Sequence, residues 1–174
     1  SPLHDKAVRN AVAHIINYDS MAKIIGNGST PGAAPFPPSA NLGYDTIANK
    51  ATTDVAKADQ ILTQAGYAKN ANGVYAKDGK ELSLTLAVWG KDTSMYEEIQ
   101  QELKQAGINV TLKKLQSPDE VDTLGTNGFD LVERNVITMS TNDPYWFLSL
   151  FYKSGAKANV GAYSNPQVDA LIDQ

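Results

Sequence analysis

Apolar side chains recur along this chain of 174 residues with two different periods, and each change of period marks an element. In residues 4–25, Ala7, Val8, Ala11, Val12, Ile15 and Ile16 fall at three- and four-residue spacing, which is one face of a helix. Residues 17–20 interrupt that rhythm. Asp19 is placed to cap a second short helix carrying Met21, Ile24 and Ile25, which Gly26 and Gly28 end. Pro31, Pro35, Pro37 and Pro38 then stand among small residues, so a shaped loop is predicted up to Tyr44. A helix starts at Thr53 or Asp54, runs through Val55, Ala58, Ile61, Leu62 and Ala65, and closes at Gly66. Asn72-Gly73 and Asp78-Gly79 flank Val74-Tyr75, the pattern of a small hairpin.

Leu82, Leu84, Leu86 and Val88 alternate, which predicts a strand with one strongly apolar face. Ser94 and Glu97 have capping-box spacing ahead of a helix with Met95, Ile99, Leu103 and Ala106 on one side, ended by Gly107. Ile108, Val110 and Leu112 alternate again, so strand, helix and strand form a βαβ unit. Ser117-Pro118-Asp119-Glu120 starts another helix, residues 129–136 read as a strand, and Asp143-Pro144 and Asn165-Pro166 start two last helices. The class is α/β, a mixed sheet flanked by helices, with residues 1–174 as a single domain and no internal boundary. Hydrophobic residues make up 42% of the chain, enough for one core.

Fifteen basic and 19 acidic side chains leave a formal charge of -4, which supplies no field for phosphates, so nucleic acid is not an expected partner. The absence of cysteine excludes disulfides, thiolate metal sites and thiol nucleophiles. No apolar stretch is long enough to span a bilayer. The chain opens on Ser1-Pro2 without a leader and stops at Gln174 inside a helical pattern, so it is expected to be a fragment truncated in its last helix.

The two histidines, His4 and His14, lie ten residues apart, nearly three turns of one helix, and are expected on the surface and on a helix face, with no metal between them. No Gly-x-Ser-x-Gly elbow occurs, and Gly26-x-Gly28 follows a helix, as a helix end does and a phosphate loop does not. Asp119 and Glu120 are accounted for by a helix start. No catalytic residue, metal or cofactor is assigned. The unusual run is Thr138, Met139, Ser140, Thr141 and Asn142, short polar side chains between a strand end and an aromatic helix, where α/β proteins place ligand contacts. Phe147, Leu148 and Phe151 are expected in the core; for Tyr145 and Trp146 a cleft wall and a half-buried helix face are both open.

Several motifs resemble, in order, those of the C-terminal lobe of the peptide/nickel-type (family 5) solute-binding proteins of ABC transporters. Val8-Arg9 through Ala11 to Ile16-Asn17 is similar to the family's first helix, Ala58 with Ile61-Leu62 and Ala65-Gly66-Tyr67 to the next, and Gly73 with Gly79-Lys80 to the hairpin. Ile99-Gln100, Leu103-Lys104 and Gly107-Ile108, then Phe129-Asp130-Leu131, Asp143-Pro144 and Tyr163-Ser164-Asn165-Pro166 with Asp169-Ala170-Leu171-Ile172, complete the series. The resemblance implies one lobe of a two-lobed periplasmic-binding-protein-like fold (class II) that closes on its ligand about a hinge. It implies a substrate-binding component of an ABC importer and not an enzyme, extracytoplasmic, periplasmic or held on the outer face of the membrane as a lipoprotein by an anchor outside this fragment. The implied partners are a peptide or other small-molecule ligand, the permease subunits and the missing N-terminal lobe.

The ligand class stays open at this point. Peptide-binding members carry an aspartate where Ser140 stands, and nickel-type members an arginine and a tryptophan where Val136 and Thr138 stand. A nickel, metallophore or opine-type solute is the first alternative to a peptide. A hydrolase using Asp119, Glu120 or Asp143, or a surface interaction module on the same fold, is the alternative of another class.

Overall fold

Short polar side chains start most of the helices by accepting the free amides of a first turn. The computed structural model describes residues 1–32, 36, 46, 52–124, 128–138 and 143–174. Asp5 Oδ1 accepts from the Ala7 amide at 2.8 Å and starts α1, Lys6–Ile15. Helix α2, Tyr18–Ile25, is capped by Asn17, whose Oδ1 accepts from the Ser20 amide at 3.0 Å. Asp19, the expected cap, lies inside the first turn instead, since only Ile16 and Asn17 separate the two helices; there its charge still favours the helix N-terminus. Asp54 caps α3, Val55–Gln64, accepting from Lys57 at 2.9 Å.

The expected box of Ser94 and Glu97 does not form in α4, Ser94–Ala106. Thr93 takes the cap position, its hydroxyl donates to Glu97 at 2.6 Å, and Ser94 gives both its amide and its hydroxyl to Asp92. Helix α5, Asp119–Leu124, follows Pro118, with Glu120 accepting from the Gln116 amide at 2.8 Å. Asp143 and Asn165 cap α6, Pro144–Phe151, and α7, Pro166–Ile172, each with proline in its first turn.

The strands sort into two sheets. β1 (Ala68–Lys69), β2 (Tyr75–Lys77) and β3 (Lys80–Glu81) are antiparallel neighbours, and Asp78 and Gly79, at φ 52° and 73°, make the tight turn between the last two. β4 (Ser83–Val88), β5 (Asn109–Lys114) and β6 (Leu131–Val132) form a parallel sheet in the order β5-β4-β6. The expected mixture of strand directions is thus divided between an antiparallel and a parallel sheet. β4 and β5 pair from Ser83 with Asn109 to Val88 with Lys114, joined by α4 as a βαβ unit. A strand over residues 129–136 was expected, yet β6 has only two residues. It pairs with β4 only at Leu86–Leu131 and Ala87–Val132; at this register the last residue of β4, Val88, reaches no further than Glu133, so residues 134–136 have no partner on it.

The main core lies between α1, α3, α4 and the sheets: Val8, Ala11, Ile15, Leu62, Leu84, Leu103 and Ile108 belong to one buried cluster. Behind the parallel sheet, Ala87, Leu115 and Val121 form another, so β4 is covered on both faces near its end and its alternation stops mattering there. His14, expected on a helix face, is buried. Its Nδ1–H donates to the Thr52 carbonyl at 2.7 Å, which fixes that nitrogen as the protonated one because a carbonyl only accepts. The Asp54 amide returns a bond to the His14 carbonyl at 2.7 Å and the Thr53 hydroxyl one to Ile16 at 2.8 Å, clipping the entry of α3 to the end of α1.

Candidate functional site

The parallel strands β4, β5 and β6 all end at one rim, where the chain beyond β6 runs on as residues 133–138. No backbone–backbone hydrogen bond reaches these residues from elsewhere among the described residues. Arg134 and Val136 of this segment are shared by two hollows. This is the place where α/β proteins carry ligands, outside the carboxyl ends of parallel strands.

The larger hollow, about 790 Å³, carries five aromatic side chains among its described lining residues. Tyr18 of α2, Phe147 and Phe151 of α6, and Tyr152 and Tyr163 beyond it face a wall made by Arg134, Val136 and Thr138. Phe147 and Phe151 stand four residues apart on one face of α6 with ring centroids at 5.0 Å, and Phe147 meets Tyr152 at 5.7 Å and Phe36 edge-on at 5.6 Å. The far wall, residues 158–163, is pinned by Asn159, whose side chain donates to the Lys153 and Tyr163 carbonyls at 3.1 and 2.7 Å and accepts from the Tyr163 amide at 3.0 Å. Burial pushes the Tyr18 and Tyr152 hydroxyls up, so both rings are neutral at physiological pH. Tyr18 donates to the Ala13 carbonyl at 2.8 Å, which fixes its ring. Arg134 is the one charged residue among those lining this hollow, and its Nη2 donates to Asp122 Oδ1 at 2.8 Å.

Thr138 lines the larger hollow; Met139, Ser140, Thr141 and Asn142 lie outside the described residues. Tyr145 and Trp146 are on α6 but half exposed, at 50% and 43%, and do not line it; Phe147, buried as expected, and the half-buried Phe151 do. Residues 145 and 146 precede 147 by two positions and one, so helical steps of about 100° each turn them away. Reading along the sequence missed Tyr18, Arg134 and Tyr163, which come from distant segments. The acids considered for hydrolysis have other duties: Asp143 accepts from the Tyr145 amide at 2.8 Å, Glu120 accepts from Gln116, and Asp119 sits exposed in the first turn of α5. Among the described residues no group of three or more His, Cys, Asp or Glu is placed to hold a metal ion, and no helix is long and apolar enough to cross a membrane.

The smaller hollow, about 480 Å³, lies between the ends of α2 and β6 and the start of α4. Ile24, Ile25 and Met95 give it an apolar side, and Asp92, Glu133 and Asn135 a polar one. Tyr96 donates to Glu133 Oε2 at 3.3 Å, and its ring lies 6.3 Å from that of Trp89.

A rim of this kind, on two small sheets with helices packed about them, is the architecture of solute-binding lobes, and the family model for bacterial extracellular solute-binding proteins, family 5 (middle region), matches residues 1–159: the chain belongs to this family. Similar proteins include the glutathione-binding protein GsiB of Pectobacterium atrosepticum, 29% identical over 97% of this chain and 32% of its own length. The oligopeptide-binding protein OppA of Lactococcus lactis subsp. cremoris is 31% identical over 76% of this chain and 24% of its own length. The chain therefore spans about a third or less of the curated relatives it matches. Among solved structures, Bacillus subtilis AppA in complex with a nonapeptide superposes with a TM-score of 0.79 at 24% identity, over 98% of this chain and 35% of that one. Campylobacter jejuni NikZ in complex with Ni(L-His) does so at 0.84 and 20%, over 98% and 35%. These likenesses show the fold: the α/β lobe expected from the sequence is present.

Proposed function

We propose that this chain supplies one wall of the interlobe cleft in the substrate-binding component of an ABC importer. The aromatic hollow captures a peptide or another small solute, the lobes close on it, and the closed form delivers it to the permease. The observation that carries this reading is the hollow itself, at the carboxyl rim of the parallel sheet, lined among the described residues by five aromatic rings and one guanidinium and by no carboxylate or imidazole. Thr138 lines the hollow, and in this reading the run Met139, Ser140, Thr141 and Asn142 supplies ligand contacts, with Tyr145 and Trp146, exposed on α6, meeting the ligand or the opposite lobe once the cleft shuts. In this reading the lobe works outside the cytoplasm, which the extracellular family it belongs to supports, and an anchor elsewhere in the protein holds it to the membrane. It is a carrier and not an enzyme.

The ring faces and the backbone of residues 133–137 suit an extended, partly apolar solute, while the Arg134 guanidinium is already paired with Asp122. A metal chelate is the second reading, favoured by the likeness to NikZ bound to Ni(L-His); the donors would then come from the chelator. The test is a thermal-shift panel on the full-length protein with di- to oligopeptides, metal–histidine complexes and opine-like compounds, followed by small-angle scattering of any pair that shifts. A stabilised, more compact protein without turnover is expected. Conversion of a bound compound, or stabilisation without closure, would refute the carrier reading.

A further inference from the structure

The smaller hollow differs from the larger in charge. Two carboxylates, Asp92 and Glu133, line it with the ring of Tyr96 and the thioether of Met95. Arg134 also lines it, but its guanidinium is engaged by Asp122 at 2.8 Å. Neither Asp92 nor Glu133 takes part in any ion pair among the described residues. Each has instead only neutral donors: the Ser94 amide and hydroxyl at 3.0 and 2.6 Å for Asp92, and the Tyr96 hydroxyl at 3.3 Å for Glu133. These hold the two side chains in place without neutralising them. Carboxylates beside an aromatic ring and a polarisable thioether are the chemistry that receives ammonium and guanidinium groups.

We propose that the smaller hollow is a cation subsite, taking an ammonium or guanidinium group of a solute whose apolar body lies across Arg134 and Val136 in the aromatic hollow. The inference rests on the reading of the larger hollow as a solute site, and it selects within that reading: solutes with a cationic group one segment away from an apolar one are preferred, and those with an anion at that place are rejected. The shared wall makes the two hollows neighbours, so a single extended molecule reaches both.

The test uses the full-length protein with N-butylguanidinium and its uncharged analogue N-butylurea, followed by calorimetric titration. N-butylguanidinium is expected to bind at least about tenfold more tightly than N-butylurea, one charge-assisted contact's worth, and the double substitution Asp92→Asn with Glu133→Gln removes that margin. Glu133→Gln alone, which leaves the start of α4 untouched, moves affinity the same way. Equal binding of the two probes, or a margin that survives the double substitution, overturns the subsite. Peptide-induced closure in the same protein reads the underlying function separately: a margin that depends on Asp92 and Glu133 in a protein that never closes keeps the subsite and sinks the transport reading.

Discussion

Substituting Gly107 by alanine isolates a clash that can be worked from the coordinates. Gly107 ends α4 at φ 103°, a conformation L-residues adopt only with strain, on the order of 1–2 kcal/mol. An added Cβ would also lie 2.6 Å from the Gly73 carbonyl oxygen, with Lys69 Cε at 3.2 Å and Tyr75 Cδ2 at 3.3 Å. The first contact is to backbone, so the relief must come from moving the β1–β2 turn or the end of α4. That turn is tied in place, since the Tyr75 amide donates to the Gly107 carbonyl at 2.8 Å. A total loss of about 2–4 kcal/mol is expected, which in a domain of this size lowers Tm by roughly 5–15 °C. Gly79→Ala is the matched control, because Gly79 has φ 73° and nothing within 4 Å of the added atom; it should lose only about 1–2 kcal/mol. Urea unfolding followed by circular dichroism measures both. Equal losses at the two positions would refute the claim that the β1–β2 turn bears on the end of α4.

Leu103, fully buried at the centre of α4, should lose about 2–5 kcal/mol on change to alanine in the same assay, whereas exposed Leu171 should stay within about 0.5 kcal/mol. Replacing His14 by leucine leaves the Thr52 carbonyl without its donor inside the fold and is expected to cost about 1–3 kcal/mol. Burial raises the Glu102 carboxyl above the ordinary glutamate value of 4.5, against the lowering bond from the Asn17 amide, so its protonated form is favoured on folding. Stability should therefore fall as pH rises from about that ordinary value through the raised one, and Glu102→Gln should flatten this slope in denaturation curves taken across the acidic range. In the full-length protein, Phe151→Ala should weaken binding of whichever peptide gives the largest thermal shift by about tenfold, the loss of one buried ring face; an unchanged affinity would take the solute out of the aromatic hollow.

Local signals were legible where one residue decides a local geometry. Asp54, Asp143 and Asn165 cap where they were expected to, and the alternation from Leu82 to Val88 and from Ile108 to Leu112 is a paired parallel ladder. The misses arose where a neighbour competed. Asp92 took the Ser94 hydroxyl that a capping box needed, Asn17 stood two positions closer to the turn than Asp19, and β4, ending at Val88, offers no partner to residues 134–136 of the expected strand. The hollow was half legible: Thr138 is on its edge, but Tyr18, Arg134, Phe151 and Tyr163 meet only through the fold, and no spacing along the chain brings them together. Phe147 is buried as its period suggests, and Phe151, one turn on, has the same period yet faces the open hollow.

The two-residue length of β6 fixes where the molecule is locally weakest. Amides of Leu86 and Ala87, where β4 is paired on both sides, should exchange with solvent only on global unfolding, while those of Glu133 to Ile137, with no backbone acceptor among the described residues, should exchange orders of magnitude faster. A solute that pairs with this stretch must then order it, at about 1 kcal/mol per residue. Part of the contact energy is spent before any affinity appears.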